Sequence, residues 1–180
     1  MKTWSLLCAL LAAACTLPHE RDHSARTTSD QTSLLGIELR EDPVFQEMYS
    51  ATECLRVAAH GYGEAGLVCR SRSRELLTNN GIDVQATPSG ANASVTVSTA
   101  ISIYEMHERV LKGKALYAAE VDCDDQNDFV YRPTSTCSIT YCPLRNGEYI
   151  YANVTVENHA RGLHALSREE IDWIISSMGE

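Results

Sequence analysis

The chain has 180 residues, 44% hydrophobic and 22% charged, a globular composition that excludes a disordered polymer. Its 15 Lys and Arg stand against 24 Asp and Glu, a net charge of −9, which excludes the basic footprint of a duplex nucleic-acid binder. No apolar run reaches the roughly 20 residues that span a bilayer, and the length suits a single domain.

Residues 1–14 read MKTWSLLCALLAAA, one Lys followed by an apolar stretch from Leu6 to Ala14 that ends in small residues. This pattern predicts a secretory signal peptide cut before Cys15, with Ala12 and Ala14 next to the cut. A buried N-terminal helix is the structural alternative. A bacterial lipoprotein signal, with Cys15 itself lipidated, would use the same cut.

Cleavage removes Cys8 and leaves Cys15, Cys54, Cys69, Cys123, Cys137 and Cys142. An even set of six in an exported chain predicts three disulfides. Spacing pairs Cys54 with Cys69, and Cys123 with either Cys137 or Cys142, leaving Cys15 to tie down the lead. Cys137 and Cys142 differ in strand parity and point to opposite faces, so they do not pair with each other. Asn92-Ala-Ser94 and Asn153-Val-Thr155 are N-glycosylation sequons in a secreted chain.

Residues 15–41 are polar and lack a period, and are expected to form a flexible lead or pro-segment. The single domain then covers 42–180. Asp42-Pro43 is a helix start, and Val44, Met48, Ala51, Leu55 and Ala58 recur at three- and four-residue steps. Gly61 and Gly63 end that predicted helix. A second is expected from Ala65 to Thr78, stopped by Asn79-Asn80-Gly81.

From Ala93 the period becomes two, with Val95, Val97, Ile101 and Ile103 on one face. Further strands are expected over 115–122, after a turn at Lys112-Gly113-Lys114, over 136–142, and over 149–157. In the last, Ile150, Ala152, Val154 and Val156 face inward, which leaves Asn153 and Thr155 facing outward. Ser167 and Glu170 form a capping box for a final helix buried through Ile171, Ile174 and Met178, with Leu166 and Ile171 as a staple. The sum is α+β: N-terminal helices, a four-stranded antiparallel meander and a C-terminal helix, stapled by disulfides.

Motifs for catalysis and cofactors are weak. Gly61-Tyr-Gly63-Glu-Ala-Gly66 matches a dinucleotide fingerprint, but no acid follows Ile82-Asp83-Val84 to hold a ribose, so the glycines are read as a helix C-terminal cluster. His107-Glu108 lacks the second His of a zinc site, and the acidic cluster Asp122, Asp124, Asp125 and Asp128 lacks the Gly and Glu of a calcium loop. No cofactor or metal is expected. His107, Glu105, His159 and Arg161 are the residues from which a ribonuclease site would be assembled, an acid–base pair with a cationic phosphate clamp. Arg70, Arg72 and Arg74 form the one basic cluster, read as a solvated face.

A signal peptide, a polar lead, about 140 folded residues and six cysteines resemble the small secreted cysteine-containing effectors of filamentous fungi. That resemblance implies a virulence or host-directed role by protein–protein interaction, without catalysis. Arg109-Val-Leu-Lys-Gly113 with Tyr117 is similar to the Gln-x-Val-x-Gly hairpin of cystatins, with Arg109 and Leu111 in place of Gln and the central Val. It would imply protease inhibition. The expected function is a secreted, extracellular, disulfide-bonded interaction protein with an unidentified protein partner. Loops 85–92, 123–135 and 158–166 are its expected contact surfaces. A small secreted hydrolase, a cystatin-like inhibitor and a bacterial lipoprotein are the alternatives.

Overall fold

The computed structural model describes residues 36–85, 94–99, 102–123 and 135–179. The predicted signal peptide, Cys15 and Asn92 lie outside these residues, as does most of the loops 85–92 and 123–135. Among the described residues 55% are in strands and 19% in helices, so the α+β expectation is corrected to a mostly β fold.

In chain order the elements are β1 (Ile37–Glu41), α1 (Pro43–Met48), β2 (Glu53–Ala59), β3 (Gly63–Ser71), α2 (Arg74–Asn79) and β4 (Ile82–Gln85). They continue with β5 (Ser94–Ser98), β6 (Ile103–Glu105), β7 (His107–Leu111), β8 (Lys114–Asp122), β9 (Ser135–Pro143), β10 (Tyr149–Asn158), β11 (Leu163–His164) and α3 (Arg168–Met178). The main sheet runs β1-β2-β3-β10-β9-β8-β7, with β11 added to β10, and a second sheet runs β4-β5-β6. All pairings are antiparallel.

The first predicted helix starts where expected. Asp42 caps it by accepting hydrogen bonds from the amides of Val44 and Phe45, both at 3.1 Å. It ends after six residues, and Ser50 takes a left-handed φ of 48° as the chain turns into β2. The expected apolar stripe is therefore not a helix face: Val44 and Met48 are 65% and 59% exposed, while Cys54 and Val57 are fully buried in a strand. Pairing explains the switch. Strand β2 hydrogen-bonds to β1 on one side and β3 on the other, so Leu55 faces Glu41 and Val68. A strand with neighbours on both sides and both faces covered loses its alternation and resembles a short helix in sequence.

The second predicted helix is likewise strand β3 over its first half, and only Arg74–Asn79 is helical. Gly61 and Gly63, with φ of 78° and 98°, make the β2–β3 turn rather than ending a helix. At Gly66 a Cβ would stand 2.2 Å from the Asn153 carbonyl oxygen, so glycine is needed where β3 meets β10. The lead also contributes to the sheet, because β1 lies inside it and pairs with β2.

The predicted strand beginning at Ala93 is broken. Val95 and Val97 are buried in β5, but the chain reverses at Thr99, whose amide bonds to the Ser102 carbonyl at 2.8 Å. Ile103 then lies in β6 and is 74% exposed. The other strands match their predicted spans closely, and the meander is completed by β7 in place of β5. Lys112 and Gly113, with φ of 47° and 76°, form the two-residue hairpin turn between β7 and β8.

The sheet is buried on both faces. One face packs under α3 through Val68, Leu116, Ile150, Ala152, Val154, Ile171, Ile174 and Met178. The capping box is formed, with the Glu170 amide donating to Ser167 Oγ at 3.3 Å and the Ser167 amide to Glu170 Oε2 at 2.7 Å. At the other end, Arg70 Nη1 and Lys114 Nζ donate to the carbonyls of Met178 and Gly179. Those two cations satisfy helix-end acceptors and oppose the helix dipole. The opposite face is covered by α2 and the small sheet, through Leu76, Ile82, Val95 and Val97 against Tyr117, Ile139, Tyr149 and Tyr151.

Candidate functional site

The second face carries two adjoining clefts. The first, about 510 Å³, is lined by Phe45, Tyr49, Asn80, Tyr151, Asn153 and Thr155, with Arg56 and Glu64 at its side. Phe45 and Tyr49 stack with their ring centroids 5.8 Å apart. Arg56 lies 5.5 Å above the Phe45 ring and pairs with Asp42 at 2.5 Å and Glu64 at 2.6 Å. These residues meet because α1 is short and folds back over β2.

The second cleft, also about 510 Å³, shares Asn80, Tyr151 and Asn153 with the first and continues past Ser98, Asp122 and the Cys123–Cys137 bridge. Between them, the Tyr151 hydroxyl donates to Asn80 Oδ1 at 2.9 Å. Asn80 in turn donates to the Leu76 carbonyl at 2.7 Å. Burial pushes the Tyr151 phenol far above its ordinary range. Tyr149 donates to the Ser73 carbonyl at 2.5 Å, and burial pushes it up to about 12. Both phenols therefore act as neutral donors that pin α2 to the sheet.

A third groove, about 540 Å³, runs beside α3 on the other face and is lined by His107, Arg109, Glu120, Ser138 and Arg168. Arg109 makes a two-pronged ion pair with Asp172 of α3. Within the hairpin that is similar to the cystatin motif, Arg109 is thus engaged with α3, and Leu111 packs against the α3-side core.

The residues considered for a ribonuclease site are not brought together in this groove. His107 lines it, but His159 and Arg161 do not. His159 Nε2 lies 2.9 Å from Thr136 Oγ1 and its Nδ1 lies 3.5 Å from Glu157. Glu105 belongs to the small sheet, opposite Thr96. Two members of the basic cluster are compensated, since Arg70 and Arg72 each lie 3.8 Å from Glu148. Among the described residues no group of His, Cys, Asp or Glu is arranged to hold a metal ion.

Cys54 bonds to Cys69 across directly opposed residues of β2 and β3, with Cα atoms 4.1 Å apart. Cys123 bonds to Cys137, which resolves the open choice of partner, with Cα atoms 5.2 Å apart. Among the described residues Cys142 forms no disulfide, whereas the sequence led us to expect one: it is 1% exposed, on the α3 side of the sheet. Burial pushes its pKa up. The opposite parity of Cys137 and Cys142 holds, as they belong to the two different cores.

Asn153 and Thr155 do point away from the α3-side core, but they line the clefts and are half-buried rather than standing free in solvent. Sequence reasoning missed the cleft, because it placed Phe45, Tyr49 and Arg56 on or beside one long helix. The available signal was Arg56 and Glu64, charges embedded in segments that otherwise read as core. No family model, no curated protein and no solved structure matches this chain.

Proposed function

We propose that this chain is a secreted, disulfide-bonded interaction protein, an effector-like molecule that acts by binding a host or partner protein. The observation that carries this reading is the pair of disulfides, Cys54–Cys69 and Cys123–Cys137. Such bonds persist in oxidising compartments, which agrees with the signal-like residues 1–14. The Cys123–Cys137 bridge also closes the base of the segment that was expected to contact the partner.

Binding, as the mode of action, draws support from apolar side chains that the two cores leave outside. Ile103 and Val110 are 74% and 73% exposed, and Val110 lies on β7, an end strand of the main sheet. Unpaired strand edges with apolar side chains are sites where a partner strand is added.

The test begins with the protein secreted by its native host. Intact mass is measured before and after reduction and alkylation, following glycan removal. The expected product starts at Cys15, and Cys54, Cys69, Cys123 and Cys137 alkylate only after reduction. A product with those four thiols free, or a lipid adduct on Cys15, would overturn the reading. Capture of a partner from target cells is then expected to be lost in Val110→Glu while the melting midpoint is retained.

A further inference from the structure

We propose that Asn153 carries an N-linked glycan whose first sugars lie in the cleft walled by Phe45 and Tyr49. The proposal rests on the secretory reading above, and deepens it by giving the cleft an occupant.

Strand parity sets the geometry. Asn153 and Thr155 share a face, while Val154 between them is 1% exposed in the α3-side core. Asn153 stands in register with Leu67 of β3 and Ile139 of β9, in the middle of the main sheet. Its side chain lies where the two clefts meet, and Thr155 lines the first of them. The first sugars attached to Asn153 therefore begin inside the cleft region. A volume of about 510 Å³ is within the range of sites that hold small ligands.

The lining suits a sugar. The stacked rings of Phe45 and Tyr49 offer an apolar wall for the C–H face of a pyranose. Arg56, Glu64, Asn80 and Thr155 offer donors and acceptors for its hydroxyls. The linkage itself is compatible with the hydrogen bonds present. Tyr151 spends its proton on Asn80 Oδ1, so the Asn153 side chain is not the acceptor of that hydroxyl. A glycosylated asparagine keeps its carbonyl and one amide N–H, and attachment there leaves the Tyr151–Asn80 bond in place.

The backbone at Asn153 is paired on both sides. A folded β10 cannot enter a transferase, so attachment precedes closure of the sheet. The donor is a lipid-diphosphate-linked oligosaccharide. Asn153 Nδ2 bonds to the anomeric carbon as the bond from that carbon to the diphosphate oxygen breaks. One amide proton is released and the lipid diphosphate leaves.

The experiment passes the full chain through a eukaryotic secretory host and maps occupancy at Asn153. We expect occupancy in wild type and in Thr155→Ser, and its loss in Thr155→Ala. Release by a peptide N-glycosidase is expected to be about tenfold slower, or more, from the native than from the denatured protein, because the linkage is reached through local opening. Tyr49→Ala is expected to narrow that difference by removing one cleft wall. A secreted protein with Asn153 bare overturns the proposal and leaves the secretory reading standing. Release at equal rates from native and denatured protein overturns the seating in the cleft. Retention in the cell with the leader uncut overturns the secretory reading and this proposal together.

Discussion

Thr140 offers a sharp test of how the sheet is packed. It lies in β9, fully buried, opposite Ala118 of β8 and Ala152 of β10, both of which face α3. Its hydroxyl has no hydrogen-bond partner among the described residues. An unsatisfied buried hydroxyl costs about 1–3 kcal/mol. Thr140→Val keeps the shape and β-branching while replacing that group with a methyl. We expect stabilisation of about 1–2 kcal/mol, which for a chain of this size raises the melting midpoint by about 2–4 °C per kcal/mol. Thr140→Ser keeps the hydroxyl and loses a buried methyl, and is expected to cost about 1 kcal/mol. The assay is urea unfolding at pH 7, with the slope checked for constancy so that the midpoint reports stability. An unchanged or lower midpoint in Thr140→Val would refute the reasoning, because it would mean that the hydroxyl is bonded and its removal leaves a partner unsatisfied.

The disulfide Cys54–Cys69 closes a loop with a sequence separation of 15, so replacing both cysteines by serine is expected to cost about 3 kcal/mol in denaturant unfolding. An effect below about 1 kcal/mol would show that the unfolded chain is already constrained there. The Arg109–Asp172 pair is 28% and 22% exposed, so a double-mutant cycle with alanine at each site should return a coupling of about 1 kcal/mol that shrinks in high salt. Zero coupling at low salt would remove the pair from the forces holding α3 to β7. Tyr149, pushed up to about 12 by burial, predicts a level contribution to stability below pH 10, where both states keep the proton. Between pH 10 and about 12 the unfolded chain loses its proton first, so stability falls as pH rises. Tyr149→Phe should flatten that alkaline slope, and an identical slope in the variant would sink the argument.

Covering both faces of the main sheet has a consequence for where binding can occur. Helix α3 occupies one face, and α2 with the small sheet occupies the other. Apolar recognition is left to strand edges, to helix α1 with its exposed Val44 and Met48, and to the clefts. This is why the exposed Val110 supports the binding mode of the proposed function, while the Phe45–Tyr49 wall belongs to the glycan proposal.

Local chemistry determined several elements before any tertiary contact. The capping box at Ser167 and Glu170 places α3, because it closes within one helical turn. Lys112-Gly113 places the β7–β8 turn, since two residues with positive φ match the twist of paired strands. Strands expected over 115–122, 136–142 and 149–157 stand at Lys114–Asp122, Ser135–Pro143 and Tyr149–Asn158, because runs of apolar, β-branched and aromatic side chains bounded by turn residues favour extended chain. Tertiary structure alone decided β2 and β3. Their residues fit a helical period as well as a strand, and pairing with β1 and β10 selected the strand. It also decided that β10 inserts beside β3, a pairing between segments about 80 residues apart whose closure no local signal encodes. The first cleft follows from that insertion, because Tyr151, Asn153 and Thr155 reach Phe45, Tyr49 and Asn80 only once β10 lies against β3.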